Sequence, residues 1–194
     1  MAGKNLDNIK LYGGEDSAVL FAFKGDGATL PQDLDAEIDP ALQDVGWISE
    51  DGVNIEVSVD SGEIIAWQGG TAVLFPVTGS SKTIGFTAME DTPLVAKMFY
   101  GASDPVAAGV GGARIDLPGA MRAVEGAAVV KTVAADVTKY YVAPLVSITD
   151  RGTVGHSNTD PTQHEMTLAI RGDAYVITNH PAYVEAVEAA EPEV

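Results

Sequence analysis

Apolar and polar residues alternate one for one from Val53 to Val59, where Val53, Ile55, Val57 and Val59 are separated by Asn54, Glu56 and Ser58. That period predicts a strand with one face on a core and the other in water. Ile84, Phe86 and Ala88 oppose Thr83, Gly85 and Thr87 in the same way, and Met166, Leu168 and Ile170 oppose Glu165, Thr167 and Ala169. Further strands are expected at Ala18 to Phe23, Glu63 to Trp67, Thr71 to Val77, Ala128 to Val133, Val137 to Ile148 and Ala174 to Thr178. Turn residues punctuate them at Glu50-Asp51-Gly52, Asp60-Ser61-Gly62, Gly69-Gly70, Thr78-Gly79-Ser80, Asp150-Arg151-Gly152 and Arg171-Gly172-Asp173. Many short antiparallel strands make the expected fold mainly β, sandwich- or barrel-like.

One helix breaks the pattern. Thr92 can cap it, Pro93 suits its first position, Leu94/Met98 and Val95/Phe99 pair at i,i+4, and Gly101 can take the left-handed position after its end. The acidic stretch Pro31 to Pro40 is expected to hold a short helical turn. Gly101 to Gly119, rich in Gly, Ala and Pro, reads as a long irregular loop. The expected organisation is a single domain, 1–194, with an N-terminal arm over 1–11 and a C-terminal arm over 182–194 that forms a short helix or frays.

Length and hydrophobic content agree with a folded domain: 194 residues, 46% hydrophobic and 20% charged. The absence of cysteine excludes disulfides, thiolate zinc sites and a cysteine nucleophile. Apolar runs such as Thr71 to Val77 are far shorter than the roughly 20 residues of a membrane-spanning helix, and no apolar segment backs the lysines of the N-terminus as a secretory signal would require. Eleven basic residues against 28 acidic ones give a net charge of −17, which disfavours binding to phosphate backbones. The excess sits at the two ends of the chain: 14 acids and three lysines up to Glu63, and five acids with no base from Asp173 onward.

Candidate chemistry is weak. Gly79-Ser80-Ser81-Lys82-Thr83 lacks the glycine that precedes lysine in a phosphate loop and leads into a strand, so it reads as a hairpin turn. Gly109-Val110-Gly111-Gly112 neither follows a strand nor opens a helix, which excludes a dinucleotide fingerprint. Asp33, Asp35, Glu37, Asp39 and Asp44 have partial calcium-loop spacing, but Ile38 stands where glycine is needed and Asp44 where a bidentate glutamate is. His156, His164 and His180 lie in separate segments. No catalytic residue, metal or cofactor is expected.

In order along the chain stand Gly46-Trp47-Ile48-Ser49-Glu50-Asp51-Gly52-Val53, Asp60, and Ile65-Ala66-Trp67-Gln68-Gly69-Gly70. Phe86-Thr87-Ala88-Met89-Glu90 follows, then the helix with Lys97, Tyr100 and Gly101, then Ile148-Thr149-Asp150-Arg151-Gly152, Asn158, Asp160 and the strand from His164. This succession, over roughly residues 40 to 175, resembles the major tail tube proteins of long non-contractile phage tails (siphophages). Gln68 departs from it as a one-residue insertion in a turn.

The resemblance implies a β-sandwich-like tail-tube domain with one flanking helix, six copies to a ring, and rings stacked into the conduit for the genome. The implied partners are further copies of the chain, a tape-measure protein and tail-end proteins, with DNA passing through unbound. The implied place is the virion tail, assembled in the host cytoplasm. Aromatic anchors beside polar hairpin ends put the ring-stacking contact on Trp47, Ser49, Glu50, Asp51, Glu63, Ile65 and Trp67. Strand alternation makes Glu56, Asp60 and Glu165 the lumen-facing candidates. A head-decoration or surface-layer protein would share the acidic, β-rich, cysteine-free composition, and a carbohydrate-binding sandwich would display aromatics on one flat face.

Overall fold

The structure, a computed structural model, describes residues 4–190. Over these residues the strands are β1 (Ala18–Phe23), β2 (Gln43–Asp44), β3 (Ile48–Ser61), β4 (Ile64–Ile65), β5 (Ala72–Leu74), β6 (Val77–Ala88), β7 (Val106–Ala107), β8 (Ala113–Arg114), β9 (Glu125–Ala134), β10 (Val137–Arg151), β11 (His164–Ile170) and β12 (Tyr175–Thr178). Helix α1 (Pro93–Tyr100) follows β6, and α2 (Pro181–Glu188) follows β12. The fold is mainly β, as the alternation predicts.

Eight strands form one antiparallel sheet in the order β2-β1-β9-β10-β11-β6-β3, with β12 also on β10. β10 turns the corner. Its first half pairs with β9 and, on the other edge, with β12, while its second half pairs with β11. Between the halves the register with β9 slips from Ala143↔Ala128 to Val146↔Gly126, with Pro144 at the slip. Proline has no N–H to give a ladder, and a bulge there lets one strand pass between layers. A Cβ on Gly126 would collide with the Ala22 carbonyl and the Phe21 ring, so the corner closes only over a residue without a side chain.

The sheet therefore folds onto itself. Val19, Phe21, Ala128 and Val130 from the β1/β9 limb share one buried cluster with Ile84, Phe86, Met166 and Leu168 from the β6/β11 limb. Helix α1 adds Leu94, Val95, Met98 and Phe99. It is built as its sequence dictates, with the Thr92 hydroxyl accepting from the Val95 N–H at 3.3 Å and Gly101 left-handed at φ +63°.

Three expectations are corrected. The stretch Pro31 to Pro40 forms bends rather than a helical turn. Asp39 instead accepts from the Thr29 and Ala41 N–H groups at 2.7 and 2.9 Å, bonds that compete with a helix and hold its carboxyl below the usual range. Leu34 and Ile38 of this segment, with Leu30 just before it, pack on a second cluster, with Leu20, Val129 and Val142, on the outer face of the β1/β9 limb. Secondly, Thr78-Gly79-Ser80 is no turn: β6 runs through it, because Gly79, Ser80 and Ser81 pair with Asp60, Val59 and Ser58 of β3. Thirdly, Glu50-Asp51-Gly52 lies inside β3 as a bulge between Ile48↔Ala88 and Val53↔Phe86, and β10 continues through Asp150 to Arg151.

The loop after α1 is irregular apart from the small β7–β8 rung. At the N-terminus a single 3-10 turn, Leu6–Asn8, precedes Gly13 and Gly14, whose N–H groups both donate to the Val133 carbonyl. The Lys139 ammonium lies 5.1 Å from the Tyr12 ring, 5.7 Å from Tyr141 and 5.6 Å from Tyr183, so one cation holds the N-terminal segment and α2 against β10. Residues 1–3 and 191–194 of the two expected arms lie outside the described residues.

Candidate functional site

β3 and β6 are 14 and 12 residues long, roughly twice an ordinary strand. They share the core from the Ile48↔Ala88 end as far as Val53, Ile84 and Phe86, and beyond that they run out as a bare hairpin finished by β4 and β5. Strand geometry makes β3 alone about 45 Å long. Its two faces differ in chemistry.

One face continues the core outward through Ile55, Val57 and Val59, which are 39, 61 and 56% exposed. Around the tip Ile64, Ile65, Val73, Leu74, Phe75 and Val77 are also exposed, and Trp67 is 94% exposed. Water contact with this much contiguous apolar surface is unfavourable for an isolated chain and marks an interaction surface.

The opposite face is polar and small. On β3 it carries Asn54, Glu56, Ser58 and Asp60, on β6 Gly79, Ser81, Thr83, Gly85 and Thr87, on β11 Glu165, Thr167 and Ala169, and on β10 Ser147 and Asp150. Across the ladder Glu165 pairs with Thr87 and Glu56 with Thr83, so the three lumen-facing candidates, Glu56, Asp60 and Glu165, share one surface. Asp51 joins them across a shallow cleft of about 310 Å³ that it lines with Asn54, Thr87, Glu165 and Thr167. No lysine or arginine belongs to the pairs that make this face, and Asp150 was a member that strand alternation at Glu56 and Glu165 alone could not supply.

The stacking candidates fall into two groups. Trp47, 73% exposed, sits with Glu50 and Asp51 at the start of β3, whereas Glu63, Ile65 and Trp67 sit beyond its far end. The stacking candidates thus lie at two poles, because the residues between them are an extended strand and not a folded-back loop. Ser49 is buried at 9% exposure with its hydroxyl unpartnered, so its side chain presents nothing to another molecule. The Trp47 pole is rigidly held: its N–H donates to the Glu90 carboxylate at 2.9 Å, and its carbonyl accepts from Met89. Gly46 has φ +91°, with the Glu90 carboxyl where a Cβ would be.

Beneath α1 at the same pole, His164 is 2% exposed, edge-on to Phe99 at 5.2 Å and Tyr100 at 6.1 Å, with Nδ1 unpartnered. Arg151 on the adjacent strand donates from Nη2 to the Met98 carbonyl at 3.3 Å, and its Nε is also unpartnered. Among the described residues no three His, Asp or Glu side chains come together as a metal site.

No protein-family model matches the chain, and no curated protein sequence does. Among solved structures, a chain from the virion of a native gene transfer agent particle is similar over 84% of this chain and 97% of its own, with 13% identity and a TM-score of 0.45. A chain from the tail of an empty gene transfer agent particle of C6 symmetry is similar over 84% and 96%, with 12% identity and a TM-score of 0.41.

Proposed function

We propose that this chain is the structural subunit of a phage-type tail tube, in which six copies close a ring and rings stack into a conduit for DNA. The observation that carries the reading is the long hairpin limb, uncovered on both faces, apolar on one and acidic on the other. A partner must cover the apolar face, while the acidic face suits a wall that a polyanion has to pass.

Sheet edges supply the ring. β3 is the terminal strand of the sheet, and on β10 the recorded pairing with β9 stops at Ser147↔Glu125, leaving Thr149 to Arg151 beyond it. Joining the first edge of one copy to the second edge of the next is a head-to-tail contact, which closes into a ring when the rotation allows, and it hides the edges from aggregation. The same join continues the acidic face from copy to copy. Duplex DNA carries one negative charge per about 1.7 Å of axis, so a basic bore would hold it, whereas Asp51, Glu56, Asp60, Asp150 and Glu165 repel it. Screening over roughly 8 Å at physiological salt limits the cost of gathering these acids in a ring.

The two poles supply the stack, with the Trp67 tip of one ring meeting the Trp47 pole of the next. Trp67→Ala is expected to leave the circular dichroism and thermal midpoint of the free chain unchanged and to abolish tubes in electron micrographs. Tubes of normal length from this variant would remove the tip from the stacking contact.

A further inference from the structure

The apolar face of the hairpin has one charged residue in its middle. Lys82 on β6 stands directly opposite Val57, with Ile55 and Val59 flanking that position on β3. Ile84 precedes it toward the core, and Ser80 follows it toward the tip. On the third strand the ladder ends at Ala169↔Thr83, and the next residue in that register, Ile170, stands at the position opposite Lys82 and adds another apolar side chain to the face. Lys82 is exposed and makes no ion pair among the described residues.

Five of the eleven bases are paired among the described residues, Lys24 and Arg171 with Glu125, Lys97 with Asp104, Arg114 with Asp116 and Lys10 with Asp136. What sets Lys82 apart is its place, in register with Val57 on the apolar face of the hairpin. Every acid within the β3–β6 ladder near Lys82, namely Glu56 and Asp60, points to the opposite face. The chain therefore cannot satisfy Lys82 from its own hairpin once the apolar face is covered. Covering it without a carboxylate would strand a charge at an interface, which costs far more than leaving it in water.

We infer that the Ile55–Val57–Val59 face is covered by a second copy of this chain, and that the second copy places a carboxylate on Lys82. The apolar residues supply attraction without direction, since a flat valine-rich face can slide by a strand pitch. A single cation in its middle accepts one register and penalises the others, a role that buried or half-buried charges serve in other assemblies. Charge complementarity names the occupant: a second copy, with 28 acids against 11 bases and a net charge of −17, brings the carboxylates that a lysine in an apolar face requires.

This inference rests on the self-assembly part of the proposed function, and the experiment separates the two. Equal amounts of ¹⁵N-labelled and unlabelled protein are mixed, concentrated until they associate, treated with a zero-length carbodiimide and digested for mass spectrometry. In parallel the threshold concentration for association is measured by light scattering for the wild type, Lys82→Gln and Lys82→Glu. The expected result is a Lys82 amide to an Asp or Glu of the other isotope. The threshold is expected to rise about tenfold for Gln and about a hundredfold for Glu, with thermal midpoints of the free chains unchanged. Association without any mixed-isotope Lys82 crosslink, and with equal thresholds for all three proteins, overturns the lysine contact while leaving the tube intact. Crosslinked copies that form sheets or isolated rings uphold the contact and overturn the tube. A wild type that never associates overturns both.

Discussion

His164 enters β11 with its imidazole turned to α1 instead of water, 2% exposed between Phe99 and Tyr100. Burial lowers its pKa from the ordinary 6.5; Asp91 works against that and His156 adds to it. An unfolded chain then takes up the proton first, so this contribution to stability is complete above about pH 6.5 and is lost as pH falls from there toward the folded value. The slope cannot exceed about 1.4 kcal/mol per pH unit for one group. The carboxyls of Asp39 and Glu125, held down by backbone N–H groups and by Lys24 respectively, lose their contributions only at lower pH. Thermal midpoints measured from pH 7.5 to 5 are expected to fall below pH 6.5 and to flatten in His164→Phe, which keeps the aromatic contacts and has nothing to protonate. An unchanged slope in the variant would dissociate the acid sensitivity from His164. Gly126→Ala is expected to cost several kcal/mol in urea unfolding, at least ~3, since backbone and not a flexible side chain occupies the space. Neither residue stands out in the sequence: one histidine among three and one glycine among 21 acquire their roles from chain segments far away.

The elements were largely legible and their ends were not. Period-two alternation located β3, β6 and β11, apolar runs between turn residues located β1, β9, β10 and β12, and Thr92, Pro93 and Gly101 bounded α1 because caps are local chemistry. Thr92→Ala is expected to lower stability by about 1 kcal/mol. Where glycine, serine and aspartate lie in a long strand, as at Gly79 and at Asp51-Gly52, composition reads as a turn and the partner strand overrides it. The same override hid the length of the hairpin, the feature on which the proposed function rests. The acidic segment was misread for another reason, since Leu30, Leu34 and Ile38 have helical spacing but spend it on packing over β1 and β9. At this scale the expected dynamics are specific. Amides of residues 4–12 and of the loop after α1 are expected to exchange quickly in the free chain and to gain protection in the polymer, because most of their side chains are exposed and few of their N–H groups have partners. Equal protection in the two states would show that these segments take no part in assembly.

Across the whole molecule the charge is arranged by face. Asp33, Asp35 and Glu37 of the outer segment over Pro31 to Pro40 are exposed, five of the eleven bases are paired with acids, and the polar hairpin face gathers Glu56, Asp60, Asp150 and Glu165 without a base in its ladder pairs. That segregation was half visible in the sequence, which set Glu56 and Glu165 on polar strand faces but could not show that the faces are one. The two tryptophans, close in sequence, were separated to opposite poles only by the extension of β3 between them. Lysine at Glu56 and Glu165 together is expected to permit tubes yet slow DNA release from complete particles, and release at the unmodified rate would argue against an electrostatic role for the wall. The most direct measurement is cryo-electron microscopy of the concentrated purified protein. The account predicts six-fold tubes with Glu56, Asp60 and Glu165 lining the bore, and it is contradicted by tubes that carry these residues on the outer wall or by a protein that stays monomeric at every concentration.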